Sequence, residues 1–250
     1  MNENKTILVT GASSGVGRAT AQLLSKKHGV IVHGRDMERL LETKEQCAHS
    51  SQTIIWRHDL SDIDGIEESF NSQALSNGGV NIFGFVHCAG IINMNPLRAV
   101  SISSIAETMN VNYVSAVILT KILMSKKYNA DSLRNIVYIS SNISGFGAKA
   151  FSSYAASKGA LDSFMKCMAV ELAPKVRINS ILPGGMRTRM TEETFNDQDL
   201  VERMESQYPL GMGIPENIAD AVEFLLSDKA SWITGQQITI DGGRTVNITG

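Results

Sequence analysis

The sequence predicts a single α/β domain over residues 1–250, built as a doubly wound parallel sheet of about seven strands with helices on both faces. Three observations predict this fold. Short apolar, β-rich runs alternate with helical patterns along the chain, which is typical of a parallel sheet covered on both sides. A glycine-rich loop lies between the first strand and the first helix. Polar or glycine residues follow the strand ends, and open parallel sheets bind ligands at that edge.

The predicted elements follow one another without a repeat or a linker. Strands are expected at residues 5–10, 30–33, 53–56, 82–87, 134–139, 176–182 and 237–240. Helices are expected at 19–24, 37–48, 63–75, 102–124 (with a break near Asn110), 215–226, and in the stretch around Tyr154 that Pro174 ends. The polar, methionine-dotted segment at about 186–212 has no strong period, and we expect a substrate lid there.

Composition excludes several classes of protein. The formal net charge is -2 and no basic run exceeds two residues, so neither nucleic acid nor an anionic membrane is an expected partner. Cys47, Cys88 and Cys167 are widely spaced and fit no metal-binding pattern, so no metal site is predicted. There is no signal-peptide pattern and no apolar run of membrane-spanning length, which predicts a cytoplasmic protein.

The glycine-rich loop has the arrangement of a phosphate cradle. It reads Gly11-Ala12-Ser13-Ser14-Gly15-Val16-Gly17 and leads into a helix. Glycines let the backbone approach a pyrophosphate, and the helix N-terminus supplies N–H groups and positive potential. The alternative is a plain strand-to-helix turn, because the spacing is not the usual G-x-G-x-x-G.

The end of the second predicted strand bears on the choice of cofactor. An acid there favours the free ribose of NAD(H), whereas an arginine accommodates the 2′-phosphate of NADP(H). The sequence has Gly34 and then Arg35, which can pair bidentately with a phosphate. We therefore favour NADP(H). NAD(H) is the alternative, since Asp36 follows directly and could take the ribose.

Tyr154 and Lys158 form a candidate acid/base pair. They are four residues apart, so a helix places them on one face. An ammonium beside a phenol favours the phenolate and lowers the pKa of the tyrosine. Such a pair can move a proton to or from a carbonyl oxygen. The four-residue spacing by itself also has an alternative interpretation, a solvated lysine beside a half-buried tyrosine.

Two further features concern helices. Asn112 lies among apolar residues, so we expect it to be buried and hydrogen-bonded. The helix that carries Tyr154 is apolar on two faces, one with Leu161 and Met165 and the other with Phe164. A helix of this kind needs cover on both sides, which predicts a homodimer or homotetramer.

Together these motifs resemble the short-chain dehydrogenase/reductase family over nearly the whole chain. Thr10 to Gly17 resembles its T-G-x-x-x-G-x-G loop, and Ser141 stands thirteen residues before Tyr154, as in the family's Ser and Tyr-x-x-x-Lys constellation. The family's N-N-A-G motif is here His87-Cys88-Ala89-Gly90, and the lost asparagine hydrogen bonds are expected to loosen that corner. Asn112 and the C-terminal motifs, Pro183-Gly184 with Thr188 and Asp241-Gly242-Gly243, also match.

The resemblance implies a Rossmann fold and hydride transfer between a nicotinamide and a carbonyl or secondary alcohol. Tyr154 would exchange the proton, Ser141 would orient the oxygen, Lys158 would tune Tyr154 and contact the ribose, and Asn112 would hold a water. The implied cofactor-binding residues are Gly11, Ser13, Ser14, Gly15, Val16, Gly17, Arg35, Asp59, Leu60, Cys88, Ala89, Gly90, Tyr154, Lys158, Pro183, Gly184, Met186 and Thr188.

The substrate is the open question at this stage. Phe146, Phe151 and Met94 indicate a fairly apolar pocket for a small-molecule ketone or alcohol. The overall pattern most resembles 3-oxoacyl-[acyl-carrier-protein] reductases, which implies a carrier-bound thioester, although the chain near Lys175 is one residue tighter than in those enzymes. A sugar or another small ketone is the alternative. A non-catalytic NADP(H) sensor is a further alternative, but such relatives often lack the Tyr or the Lys.

Overall fold

One parallel sheet organises the structure, a computed structural model that describes residues 5–75, 80–186, 202 and 205–247. In these residues the sheet has seven strands: β1 (Thr6–Thr10), β2 (Gly29–Gly34), β3 (Ile54–Arg57), β4 (Ile82–His87), β5 (Asn135–Ile139), β6 (Arg177–Pro183) and β7 (Gln237–Ile240). Their order is β3-β2-β1-β4-β5-β6-β7, and each neighbouring pair is parallel. The chain therefore winds outward from β1 in both directions, which confirms the predicted doubly wound fold.

Helices connect the strands and cover both faces of the sheet. Their bounds are α1 (Gly15–Leu24), α2 (Met37–Glu45), α3 (Ile66–Phe70), α4 (Ile102–Met109), α5 (Ser115–Met124), α6 (Lys126–Asn129), α7 (Ser152–Glu171) and α8 (Pro215–Leu226). None of the helices in the described ranges combines the length and the apolar character needed to span a bilayer.

Two apolar cores lie on opposite faces of the sheet. Successive strand residues alternate between the faces. Accordingly, Leu8 of β1 packs with α3, α5 and α7, whereas Ile7 and Val9 pack with α1, α2 and α8. A central strand buried on both sides favours apolar residues at successive positions, which explains the continuous Ile-Leu-Val run.

Several helical boundaries differ from the sequence-based ones: α1 begins at Gly15 and not at residue 19, and α2 ends at Glu45 and not at residue 48. The helix expected from residue 63 begins only at Ile66, because Asp62 accepts a hydrogen bond from the Gly65 N–H and forms a turn there. The break expected near Asn110 is a π-helical turn at Asn110–Val114 between α4 and α5. This turn lets the helix continue while it changes the direction of its side chains.

Candidate active site

The predicted site residues lie along one edge of the sheet. In a parallel sheet all carboxyl ends meet at the same edge. Gly11 follows β1, Arg35 follows β2, Asp59 lies two residues beyond β3, Gly90 lies beyond β4, Ser141 lies beyond β5 and Pro183 ends β6. The structure thus brings together residues that are up to 172 positions apart in the chain.

The glycine-rich loop is pressed against the end of β4. Gly11 has a φ of +65°, and a Cβ there would lie 2.8 Å from the Ala89 Cα. A Cβ on Gly17 would lie 2.2 Å from the Gly11 carbonyl oxygen. Ser14 is the N-cap of α1 and makes no side-chain hydrogen bond to the helix. The first-turn N–H groups of α1 therefore remain open to an anion, and only glycines fit the cradle around them.

Arg35 and Asp36, which follow the end of β2, have different roles. The Arg35 side chain is 70% exposed, and its Nη1 lies 3.7 Å from the Asp59 Oδ2. A cavity at this point is lined by Arg35, Arg57, His58 and Asp59. Asp36 instead caps α2 by accepting from the Arg39 N–H, and it pairs with the Arg39 Nε at 3.2 Å. Arg35 is thus the side chain presented to a ligand, while Asp36 is engaged in the helix.

Asp59 and Leu60 follow β3 at the same edge of the sheet. Partial burial of Asp59 opposes its ionisation, but hydrogen bonds from Ser61 and the charge of Arg35 outweigh burial and lower its pKa. Leu60 is 3% exposed and belongs to the core. Asp59 is therefore a polar group at the edge of the site, and the buried Leu60 anchors the adjacent backbone in the core.

The corner at the end of β4 is held by a histidine ring. The His87 Nδ1 lies 2.9 Å from the Thr10 Oγ1, and the same oxygen accepts a hydrogen bond from the Ala89 N–H at 3.3 Å. Burial lowers the pKa of His87 to about 3, so the ring is neutral. His87 thus supplies a side-chain contact between β4 and β1 at the corner where the asparagines of the family motif are absent. Burial also raises the pKa of the neighbouring Cys88 to about 12, so its thiol is protonated.

Helix α7 brings the four candidate catalytic residues together. Ser141, Tyr154, Lys158 and Asn112 are all buried, with 8% exposure at most. The Ser141 side chain interacts with the Tyr154 phenol and opposes the rise of its pKa. The Lys158 Nζ lies 5.8 Å from the centroid of the Tyr154 ring and donates to the Ile139 carbonyl at 2.8 Å. The helix places the lysine and the tyrosine on one face, as their spacing predicts.

Asn112 reaches this group from the π-helical turn. Its Oδ1 accepts from the Ile91 N–H at 2.8 Å, and its Nδ2 donates to the Ser157 Oγ at 2.9 Å. A Cβ on Gly90 would lie 3.4 Å from both the Asn112 Oδ1 and the Lys158 Nζ. The prediction that Asn112 is buried and hydrogen-bonded is confirmed. It joins the loop after β4 to α7 beside Lys158.

Burial dominates the electrostatics of the acid/base pair. It raises the pKa of Tyr154 to about 12, and the hydrogen bond with Ser141 opposes that rise only in part. It lowers the pKa of Lys158 to about 8, against the attraction of Asp162. The expected lowering of the Tyr154 pKa by Lys158 is therefore not observed. Desolvation outweighs the ammonium, and Tyr154 is held as a phenol that can donate a proton.

The C-terminal motifs border the site at the ends of β6 and β7. The Gly184 N–H donates to the Ile240 carbonyl at 3.0 Å, and a Cβ on Gly184 would lie 2.7 Å from the Asp241 Cβ. Asp241 accepts from the Thr245 N–H and from the Asn142 Nδ2, next to Ser141. Met186 ends this described stretch. Residues 187–201 and 203–204 of the expected lid, which include Thr188, lie outside the described residues.

Two polar residues of the site escaped the sequence analysis. Asp162 of α7 is 3% exposed, and its Oδ2 accepts from the Ser140 Oγ at 2.9 Å. The available signal was an acid one helical turn after Lys158, between the apolar residues Leu161 and Met165. Arg57, which lines the Arg35 cavity, gave no signal because an arginine at a strand end is ordinarily a solvated residue.

Comparison with known proteins agrees with this geometry. A protein-family model described as enoyl-(acyl carrier protein) reductase matches residues 11–245. The 3-oxoacyl-[acyl-carrier-protein] reductase of Thermotoga maritima is 31% identical over 251 residues, covering 98% of this chain and 99% of that protein. The chain belongs to the short-chain dehydrogenase/reductase family. As a member it is an oxidoreductase that uses a nicotinamide cofactor and acts on a small molecule.

Other members of this short-chain dehydrogenase/reductase family are equally similar. The L-rhamnose 1-dehydrogenase (NAD(P)(+)) of Sphingomonas sp. (strain SKA58) is 29% identical over 257 residues, covering 98% of each chain. The solved structure of 4-hydroxyisoleucine dehydrogenase complexed with NADH has a TM-score of 0.89 at 30% identity, covering 97% of this chain and 99% of that one. Relatives that act on such different molecules share the fold and leave the substrate of this chain open.

Proposed function

We propose that this protein is an NADP(H)-dependent oxidoreductase that interconverts a ketone and a secondary alcohol. The observation that carries the proposal is the buried group of Ser141, Tyr154 and Lys158, supported by Asn112, at the sheet edge beside the glycine-rich loop. A non-catalytic sensor is not proposed, since all four side chains are in place.

The residues of the chain would hold the substrate oxygen and supply its proton. The nicotinamide cofactor provides or accepts the hydride. Tyr154 donates its phenolic proton to the carbonyl oxygen, and its raised pKa keeps that proton in place at neutral pH. The Ser141 hydroxyl donates a hydrogen bond to the same oxygen and orients it. Lys158 lies one turn along α7 and would contact the cofactor ribose, while Asn112 fixes the backbone beside it.

The residues around the glycine-rich loop fit a dinucleotide. Gly11 and Gly17 let the loop fold tightly in front of α1, because a Cβ at either position would clash with backbone atoms, and the N-terminus of α1 provides N–H donors for a pyrophosphate. Exposed Arg35 supports NADP(H) over NAD(H), because its guanidinium can pair with a 2′-phosphate. Asp36 is engaged with Arg39, which weakens the case for NAD(H). Pro183, Gly184, Met186 and Thr188 would hold the nicotinamide end.

The substrate pocket would form between the loops after β4 and β5. The Asn95 N–H donates to the Ala150 carbonyl at 3.0 Å, so the two loops touch. Phe151 packs edge-on against Tyr154 at 6.2 Å, and Met94 and Phe146 are half exposed nearby in sequence. These side chains support a substrate with an apolar part, such as a 3-oxoacyl thioester. The similarity to an L-rhamnose dehydrogenase supports a sugar as the second candidate.

The decisive experiment follows NADPH oxidation with acetoacetyl thioester, simple ketones and keto-sugars, together with NADP⁺ reduction by secondary alcohols and sugars. We expect turnover with one class, and we expect Tyr154→Phe to lower kcat by about 100-fold or more while cofactor affinity stays within about twofold. Tyr128→Phe is the control, since it removes a phenolic hydroxyl that donates to Glu67 away from the site. Wild-type rates in Tyr154→Phe would remove Tyr154 from the mechanism.

A further inference from the structure

Helix α7 carries a buried carboxylate that the proposed mechanism does not use. Asp162 lies one helical turn beyond Lys158, so the two side chains share a face. It is 3% exposed, and its neighbours Leu161 and Met165 are fully buried. Placing a carboxylate among such residues is unfavourable unless hydrogen bonds or an opposite charge compensate.

Hydrogen bonding compensates for the burial of Asp162 only in part. Its Oδ2 accepts from the Ser140 Oγ at 2.9 Å, while its Oδ1 has no hydrogen-bond partner among the described residues. A neutral asparagine of the same shape could accept the Ser140 hydroxyl equally well. The negative charge is therefore not explained by Ser140, and it calls for a cation nearby.

Lys158 is the cation that matches this carboxylate. It is 3% exposed, and no carboxylate oxygen of the described residues lies within 4.0 Å of its Nζ. The titratable groups that face it are Asp162 and Tyr154 on α7, and Cys88 and His87 at the end of β4. The Cys88 thiol and the His87 ring are neutral at ordinary pH, since burial shifts the pKa of each strongly toward its uncharged form. Asp162 therefore supplies the compensating charge.

A second connection runs through the end of β5. Ser140, which donates to Asp162, lies between Ile139 and Ser141. The Ile139 carbonyl accepts a hydrogen bond from the Lys158 Nζ, and the Ser141 side chain interacts with the Tyr154 phenol. The Ser140 N–H is fixed by the Ile181 carbonyl at 2.8 Å. Asp162 thus holds the short segment from which both Lys158 and Tyr154 are positioned.

We propose that Asp162 is a positioning residue that keeps Lys158 in its ammonium form and, through Ser140, fixes the end of β5 under the acid/base pair. The inference rests on the proposed role of Lys158. It adds a buried member to that group, outside the four residues that the sequence indicates. Without the carboxylate, the desolvated ammonium loses its compensating charge and gives up its proton at lower pH.

The test is the pH profile of Asp162→Asn, which keeps the shape and the Ser140 contact. We expect kcat/KM for reduction near the wild-type value at about pH 6 and about fivefold lower at about pH 8, because the alkaline limb moves down by about one unit. Glu171→Gln on the exposed end of α7 is the control for net charge, and its profile should match the wild type. Loss by the same factor at every pH would overturn the proposal.

A second readout does not depend on turnover. Acetic anhydride modifies only neutral amines, so mass spectrometry of Lys158 acetylation against pH gives the midpoint of its titration. We expect the midpoint to fall by about one unit in Asp162→Asn and to stay in place in Ser140→Ala, which keeps the carboxylate. An unchanged midpoint in Asp162→Asn would refute the coupling. Asp162→Ser serves the same purpose if the asparagine variant does not fold.

The two readouts separate failure of this inference from failure of the proposed function. Absence of turnover in the wild type with a shifted acetylation midpoint in Asp162→Asn would reject the proposed reaction and support the coupling. Turnover in the wild type with an unshifted acetylation midpoint in Asp162→Asn would support the proposed reaction and reject the coupling.

Discussion

At the scale of single residues, the two neighbouring side chains that follow β2 have different roles. Arg35 extends into solvent beside Asp59, whereas Asp36 is held by the N-terminus of α2 and by Arg39. A guanidinium that is only weakly paired can exchange its 3.7 Å contact with Asp59 for a bidentate contact with a phosphate. The preference between the two nicotinamide dinucleotides should therefore depend on Arg35.

The corresponding prediction concerns Arg35→Ser. We expect the Kd of NADPH to rise by about 10- to 100-fold, the loss of one charge-assisted hydrogen bond or ion pair, and the Kd of NADH to change by about twofold or less. Fluorescence titration of the reduced cofactors measures both. Lys26→Ser, an exposed cation beyond the end of α1, is the control for net charge. An equal effect on both cofactors would show that Arg35 does not contact a 2′-phosphate.

At the scale of elements, short segments are fixed by single buried side chains. Asn129 ends α6 and is 1% exposed. Its amide forms two hydrogen bonds with the backbone of Ile82, at 2.7 and 2.8 Å, and a third with the Leu123 carbonyl at 3.1 Å. One side chain thereby joins the end of α5, α6 and the start of β4, the strand that carries His87 and Gly90 to the site.

We expect Asn129→Ala to be destabilising without changing the chemistry of the site. Three buried backbone groups would lose their partner, which should lower the free energy of unfolding by about 3 kcal/mol and the Tm by about 6–12 °C. Thermal unfolding followed by circular dichroism measures this change. Asn81→Ala, an exposed asparagine next to Ile82, should leave the Tm within about 2 °C. Similar Tm values for the two variants would contradict this account.

At the scale of the whole molecule, the apolar surface of α7 is covered only in part by its own chain. Phe164 packs against Tyr113 and Tyr138, with ring centroids 6.0 and 6.2 Å away. Val170 further along α7 is 82% exposed, and Trp232, in the segment that leads to β7, is 99% exposed. The second apolar face predicted for α7 is therefore partly internal. The remaining exposed side chains support the proposal that the chain forms a homodimer or homotetramer.

Light scattering at about 10 µM should give a mass of at least twice the 27.1 kDa of one chain. A charge buried in an interface is unfavourable, so Val170→Glu should shift the distribution toward the monomer. Leu41→Glu on α2, which is 46% exposed near the opposite edge of the sheet, should leave the mass unchanged. A wild-type monomer at this concentration would contradict self-association.

The sequence by itself determined the features that depend on local pattern. The strands β4 and β7 and the helix α8 have the predicted bounds, because apolar runs and a proline at the first helical position act within a few residues. The placement of Ser141, Tyr154 and Lys158 at one edge also followed, because parallel strands and a four-residue helical spacing fix it.

Only the tertiary structure decided the properties that depend on distant neighbours. The pKa of Tyr154 rises instead of falling, because burial by the whole fold removes water that spacing cannot reveal. The contact between His87 and Thr10 is likewise absent from any local pattern, because Thr10 comes from another strand. Asp162 stands out as a buried charge only after α7 packs on the sheet. Desolvation and long-range contacts are collective, and for this reason they are decided by the folded chain.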